Sequence, residues 1–311
     1  MKEICIMESD GKNPVVIRKA QGFDLSDYAG SPDGRKIAFI EDDIEKIYRC
    51  EQIHIIDYQK KNELVLTDDS LSCSQLSWSP NGKWIAFSAN SPKMGYLIRD
   101  IYIMKSNGRN KVKIASTTPN QSSFPVWSPD GKNIAFLSYP DYDPKIYLPP
   151  QLNCDIYIVN VETKNLTQLT ENLTYDGDIS WFPDGRKIVY SSWQGNYEIF
   201  VIDIETKKEM QLTSNSVDDV CPIWSLDGKK IAFISDGMLY LMDPDGKNQV
   251  KLTDKTQCYV SYGVWSPDSK KLAFVAEGDI YTIDIDGKNL KNLTNTPDWD
   301  ESCPSWRPIA K

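Results

Sequence analysis

A chain of 311 residues with 44 acidic and 35 basic side chains carries a formal charge of −9, the wrong sign for nucleic acid and for an anionic membrane surface. Hydrophobic residues make up 40% and charged residues 25%, ordinary for a globular protein, and no apolar run approaches the ~18 residues of a membrane-spanning helix. The seven cysteines are an odd number with no CxxC pair, and His54 is the only histidine, so neither a disulfide framework nor a zinc site is expected.

At the N-terminus, Met1-Lys2-Glu3 leads straight into Ile4-Cys5-Ile6-Met7, which reads as a strand rather than a signal peptide. A turn at Asp10-Gly11-Lys12-Asn13 follows, then a second strand ending near Ile17. From Gly30-Ser31-Pro32-Asp33-Gly34 onward one phrase keeps returning. Its full form is Trp127-Ser128-Pro129-Asp130-Gly131-Lys132-Asn133-Ile134-Ala135-Phe136, with variants opening at Trp78, Trp181, Trp224 and Trp265 and a truncated copy at Trp306-Arg307-Pro308. The spacings are 48, 49, 54, 43, 41 and 41 residues. A period of this length, with several short strands per unit, is the mark of a β-propeller.

Each unit resolves into four strands, a to d. Strand a ends at the Trp. A Pro-Asp-Gly turn, in which Pro presets φ and Gly accepts a positive one, leads to strand b, the Ile-Ala-Phe run. Strand c has the form Ile101-Tyr102-Ile103-Met104, and strand d finishes in Leu-Thr, as at Leu66, Leu169, Leu212, Leu252 and Leu293. Runs of β-branched and aromatic residues bounded by Gly, Pro, Asn and Asp are strand and hairpin signals. The Trp and Ile-Ala-Phe positions are expected in the core.

These units predict an all-β single domain over residues 1–311: one propeller of seven four-stranded antiparallel blades, the last closed by the N-terminal c and d strands together with Ser302–Trp306, with six blades as the alternative. In such a fold the b-to-c and d-to-a loops share one face. Insertions at 41–52, 89–100 and 138–155 raise that face over blades one to three; the third is rich in Pro and Tyr, including Tyr139, Tyr142 and Tyr147. Blade four places Trp193 and Tyr197 there. Loops on a rigid scaffold carry binding more often than the scaffold does, though surface loops also tolerate insertions without function.

Carboxylates gather at the d-to-a loops: Asp24, Asp176, Asp178, Asp218, Asp219, Asp300 and Glu301. Around one channel mouth they would focus negative potential, as a funnel for a basic peptide segment or as a hard-cation site for calcium. The alternative is that each merely caps its own loop. The Asp-Gly-Lys-Asn turns at Asp245 and Asp286 look like calcium loops but lack the closing bidentate Glu and recur at the repeat's c-to-d turn, so they read as hairpins. His54 aligns with Tyr102, Tyr157, Phe200, Tyr240 and Tyr281 in strand c and is expected to pack rather than catalyse. No Gly-x-Ser-x-Gly elbow accompanies it.

The repeated Trp-Ser-Pro-Asp-Gly-Lys-x-Ile-Ala-Phe phrase, with its Ile-Tyr-x-Met and Leu-Thr companions, resembles the TolB-like propeller family over essentially the whole chain. The resemblance implies a propeller of the kind found in the TolB periplasmic translocation protein, in prolyl-oligopeptidase-type and tricorn peptidases, and in oligogalacturonate lyase. The α/β domain of TolB and the hydrolase domain of the peptidases have no counterpart among these residues. The expectation is a monomeric, non-enzymatic scaffold that binds a protein or peptide, with no cofactor beyond the calcium alternative. The rival is an enzyme acting on a polysaccharide or peptide with a metal at the acidic mouth. Compartment stays open: unpaired cysteines lean cytoplasmic, the resemblance periplasmic or secreted.

Overall fold

The Ile-Ala-Phe runs become central strands because they are apolar on both faces and so must be covered on both. A computed structural model describes residues 3–19, 23–43, 51–90, 98–140, 153–254, 260–296 and 304–306, and among these every regular element is a β-strand. The chain forms two compact units, Met1–Gln168 with Ala310–Lys311, and Leu169–Ile309.

The first unit opens with the hairpin β1 (Glu3–Ile6) and β2 (Val15–Lys19). Blade one is β3 (Phe23–Gly30), β4 (Lys36–Asp43), β5 (Glu51–Asp57) and β6 (Asn62–Val65). Blade two is β7 (Ser72–Trp78), β8 (Trp84–Asn90), β9 (Asp100–Lys105) and β10 (Val112–Ala115). Blade three is β11 (Gln121–Trp127), β12 (Asn133–Tyr139), β13 (Asp155–Asn160) and β14 (Leu166–Gln168). The second unit holds blade four, β15 (Asp176–Trp181), β16 (Lys187–Trp193), β17 (Tyr197–Asp203) and β18 (Glu209–Gln211). Blade five follows as β19 (Asp219–Trp224), β20 (Ile231–Ser235), β21 (Met238–Met242) and β22 (Val250–Lys251). Blade six is β23 (Val260–Trp265), β24 (Lys271–Ala276), β25 (Asp279–Asp284) and β26 (Lys291–Asn292).

Each of the six sheets is a four-stranded antiparallel meander in chain order, which is the predicted a-to-d plan. The described residues do not form the expected seventh four-stranded blade. Among the described residues β1 and β2 form a two-stranded sheet by themselves. Only residues 304–306 of the terminal segment are described, and they carry no strand. The terminal copy is degenerate: Trp306 is followed by Arg307-Pro308, without the Ser-Pro-Asp-Gly turn that leads into strand b in the other copies. Six four-stranded blades, the alternative reading, fit.

Neighbouring blades meet face to face through the predicted core. Ala38, Ile40, Ile53 and Ile55 of blade one pack on Cys73, Trp78, Ile85, Phe87 and Met104 of blade two. Blades five and six meet in the same way, with Leu239 and Leu241 against Trp265, Leu272 and Phe274. The buried Trp is more than filler. Trp78 Nε1 donates to Ala29 O at 2.9 Å, Trp127 Nε1 to Ser77 O at 3.2 Å and Trp265 Nε1 to Ile223 O at 3.1 Å, in each case a carbonyl on the a strand of the preceding blade. Trp306 repeats this with Val264 O at 3.3 Å. Trp224 is the exception. Its Nε1 has no partner, and its ring meets Phe182 edge-on at 4.8 Å, where the motif elsewhere carries Ser.

The Ser-x-Asp-Gly-Lys turn is a hydrogen-bonding device. Gly131 N donates to Ser128 O at 2.9 Å and Ser128 Oγ to Asp130 Oδ1 at 2.6 Å, while Asn133 N, opening strand b, donates to Ser128 Oγ at 2.9 Å. The Ser31 and Ser266 hydroxyls hold the Asp33 and Asp268 carboxyls below the usual carboxylate range by the same bond. The c-to-d turn depends on glycine for a second reason. Gly246 sits at φ +80°, and a Cβ there would stand 2.6 Å from Leu212 O, the Leu of the preceding blade's Leu-Thr.

Gly246→Ala therefore combines a left-handed Ala, costing ~1–2 kcal/mol, with a backbone clash. Gly195, at φ +102° with nothing within 4 Å, carries only the first penalty when substituted. Thermal denaturation should show Gly246→Ala lowering the midpoint by clearly more than Gly195→Ala; equal shifts would contradict the contact.

Candidate functional site

The acidic d-to-a positions separate into two structural classes. Asp176 and Asp219 stand five residues before the repeat Trp, and both are 0% exposed. The same place in the other described blades holds Leu25, Cys73, Ser122 and Val260, all buried. It is a core position. A carboxylate survives there because its own loop supplies donors. Asn172 Nδ2 lies 3.2 Å from Asp176 Oδ2, and Ser192 Oγ donates to Asp176 Oδ1 at 2.6 Å. In blade five Asn215 Nδ2 donates to Asp219 Oδ2 at 2.7 Å. The paired signal was present in the sequence as Leu-Thr-x-Asn ahead of the Asp, at 169–172 and 212–215.

Beside Asp219 lies a second buried carboxylate, Glu198. It accepts from Thr213 Oγ1 at 2.7 Å, Asn215 N at 2.8 Å and Asn196 Nδ2 at 2.9 Å. Asp219 Oδ1 receives no well-aligned donor. Burial raises the Asp219 carboxyl above its ordinary range; hydrogen bonding from Ser235, Thr213 and Asn215 only offsets this, and the Glu198 charge adds to it.

Asp178 and Asp218 are exposed. Asp178 stands three before the Trp, where the a strand breaks register with strand b and the backbone turns to positive φ: Asp27 at 48°, Gln75 at 51°, Phe124 at 55°, Asp178 at 52° and Cys221 at 52°. This is a β-bulge repeated blade after blade, a device that re-aims one side chain. The bulge Asp also ties blades together, since Cys221 N donates to Asp178 Oδ2 at 3.0 Å and Gln75 N to Asp27 Oδ2 at 3.1 Å. Sequence reasoning took Asp178 as one of the mouth acids and did not see the bulge, because no Gly marks it. Burial, then the Asp178 charge, pushes the Cys221 thiol up to about 12, which removes it as a nucleophile at neutral pH.

Trp193 and Tyr197 come together, closing the ends of β16 and β17 with ring centroids 5.1 Å apart. Two residues that sequence reasoning missed join them from the d-to-a loop. Tyr175 meets Tyr197 edge-on at 6.4 Å, and Leu173 stands 88% exposed. The frame beneath is cross-bonded. Trp193 N donates to Tyr175 O at 3.0 Å, Thr174 Oγ1 and Ser192 Oγ share a bond of 3.1 Å, and Thr174 N donates to Asn172 Oδ1 at 3.0 Å. From blade five, Asp218 Oδ1 accepts from Tyr197 N at 2.9 Å and Val217 O from Asn196 Nδ2 at 2.6 Å. Tyr139, in blade three, turns its hydroxyl back to Ser123 Oγ at 3.1 Å. The side chain of Asp24, and residues Tyr142, Tyr147, Asp300 and Glu301, lie outside the described residues.

His54 packs as its alignment implied. It stacks on Phe39 at 5.4 Å, in the register where Tyr102 stacks on Phe87 at 5.6 Å and Tyr281 on Phe274 at 5.7 Å. Among the described residues, one group combines enough donors within reach of a single metal ion: Glu41, His54 and Glu63. The donor set does not fit a metal. Glu63 faces Nδ1 and Glu41 faces Nε2, on opposite edges of the ring, whereas an ion binds one nitrogen. Arg18 already engages both carboxylates.

A sequence profile of the TolB beta propeller domain matches residues 1–152 and 191–308. The chain belongs to the TolB beta propeller family. Within it, TolB from Acinetobacter baumannii is 23% identical, with a TM-score of 0.55 over 79% of this chain and 58% of that one. The oligogalacturonate lyase of Vibrio parahaemolyticus superposes with a TM-score of 0.73 at 12% identity, over 94% of this chain and 84% of that one. Likeness at these identities is likeness of fold. Dipeptidyl-peptidase 5 of Porphyromonas gingivalis is 28% identical over 119 residues, 36% of this chain and 16% of the peptidase, so this TolB-type propeller spans only a small part of that relative. No described helix is long and apolar enough to cross a membrane.

A carboxyl raised on folding binds its proton more tightly in the folded protein. Its stabilising contribution is complete below the ordinary Asp value and is lost as pH rises through the folded one. Asp219→Asn should therefore flatten the decline in thermal midpoint over the window that opens above the ordinary Asp value, about pH 3.9. A variant whose midpoint keeps the wild-type slope across that window would contradict the burial cost assigned to Asp219.

Proposed function

We propose that the protein is a non-enzymatic binding scaffold, taking a protein or peptide on the end of blade four where Leu173, Tyr175, Trp193 and Tyr197 are grouped. The cross-bonded aromatic cluster is the observation that carries this reading. Trp193 is 40% and Tyr175 36% exposed, so large apolar faces stand in water on two loops that hold each other in place. Exposed apolar patches mark interaction surfaces, Trp and Tyr supply most binding energy where they are anchored, and a prebuilt frame lowers the ordering cost. The exposed Asp218 beside Tyr197 and the net charge of −9 favour a partner with a basic segment, drawn in by long-range attraction.

An enzymatic role on a polymer, as the names of the peptidase and lyase relatives suggest, is the competing class. It finds less support here, because the lone pairs of Asp176 and Glu198 are taken up by amide and hydroxyl donors rather than left for an ion.

Peptide-display selection against the wild type should enrich Lys- or Arg-bearing sequences with a neighbouring aromatic or aliphatic residue. Binding should weaken with salt and fall at least about tenfold in Trp193→Ala/Tyr197→Ala. Met210→Ala, on the outer strand of the same blade, should leave it unchanged. Equal binding by the double variant, or no enrichment, overturns the reading. Product released from oligogalacturonate with manganese, or dipeptide released from a peptide, would move the assignment to the enzyme class.

A further inference from the structure

Blade one breaks the internal repeat at two places at once. The position of Glu41 in strand b is small in the other five blades, Ala89, Ser138, Ser192, Ser235 and Ala276, and the position of His54 in strand c is aromatic in all of them. Both replacements point to the face of blade one that receives the β1–β2 hairpin, where Ile4 and Ile17 pack on Leu25, Phe39 and Ile56. From that hairpin comes Arg18. Its Nη2 lies 2.7 Å from Glu41 Oε1 and its Nε 3.1 Å from Glu63 Oε2. Each carboxylate turns its other oxygen to the imidazole: Glu63 Oε1 is 2.8 Å from Nδ1 and Glu41 Oε2 is 3.3 Å from Nε2. Glu41 and His54 are buried.

A neutral imidazole carries one N–H, so it can donate to one of these carboxylates and must turn a lone pair toward the other. The imidazolium donates to both. With the proton in place the four groups, Arg18, Glu41, His54 and Glu63, sum to zero charge; without it one buried negative charge is left over. We propose that this quartet is a proton-dependent clasp that holds the N-terminal hairpin on blade one. It is closed while His54 is charged and weakened when the ring gives up its proton. The charged groups facing the ring are Arg18 from β2, Glu41 from β4 and Glu63 from β6, with Phe39 of β4 covering a ring face. Lys19, next on β2, is engaged elsewhere, 2.7 Å from Glu3. Asp42 and Glu51 pair three rungs along the β4–β5 ladder, and Glu51 is held by Ser72 at 3.0 Å.

The linkage has a definite sign. The charged ring can donate to both carboxylates and the neutral ring to only one, so loss of the proton removes one charge-assisted bond from the clasp. The consequence is local: β2 is released before the six blades open.

Because the chain has one histidine, its ring 15N resonances are unambiguous. At about pH 5.5 both nitrogens should show the protonated shift. On raising the pH to about 8, amide exchange along β2, corrected for the intrinsic base-catalysed rate, should accelerate about tenfold, the scale of one charge-assisted bond lost, while exchange in β20 and β24 stays level. His54→Tyr, which installs the residue type of the sister blades, should remove this dependence. β2 protection that is level with pH in the wild type, one unprotonated nitrogen at the low pH, or a pH dependence that survives in His54→Tyr would each overturn the proposal. So would stoichiometric zinc shifting the His54 resonances, which would make the cluster a metal site.

Discussion

The indole N–H of the repeat tryptophan is the interaction on which the rest is built. A four-stranded sheet with Ile-Ala-Phe at its centre has two apolar faces and is stable only between neighbours. Apolar contact alone would let one sheet slide over the next. The indole ends that freedom, since its N–H would be stranded in the core unless it met the carbonyl on the preceding a strand. Trp78, Trp127 and Trp265 each find that carbonyl, two residues past the bulge. Register between these blades follows from that donor, and the loop ends are carried with it; Trp224, whose N–H has no partner, relies on its ring contact with Phe182 instead.

Much of this was legible in the residues. The a-to-d plan, the Pro-Asp-Gly turns, the buried Trp and the packing role of His54 all follow from local chemistry repeated at a fixed interval, where each copy checks the others. Blade number was not, because it turns on the ends of the chain, where copies are incomplete and comparison fails. The acidic d-to-a positions were read as one set because they are neighbours in sequence. Physically they divide by strand parity and by the bulge: Asp176 points into the core while Asp178, two residues on, is thrown outward by a change in φ sign. No propensity scale anticipates that, since Asp, Gln, Phe and Cys all take the bulge position.

The aromatic cluster on blade four was half visible. Trp193 and Tyr197 flank a tight hairpin and so declare their proximity. Leu173 and Tyr175 sit on a different loop, and only the bond from Trp193 N to Tyr175 O brings the two loops together. Long-range backbone pairing of this kind leaves no pattern in a single sequence. Asn172 leaves one in retrospect: an amide four residues ahead of a buried carboxylate is its counterpart in the loop.

The recurring bulge has a further consequence. Because its backbone geometry is imposed by the break in pairing rather than by the residue there, blades one to five each hold one address at which the side chain is decoupled from the sheet beneath it. Acid, amide, aromatic ring and thiol already occupy that address in different blades. The architecture thus keeps a row of interchangeable sockets, and the chemistry displayed along it can be rewritten one residue at a time without rebuilding the stack that carries it.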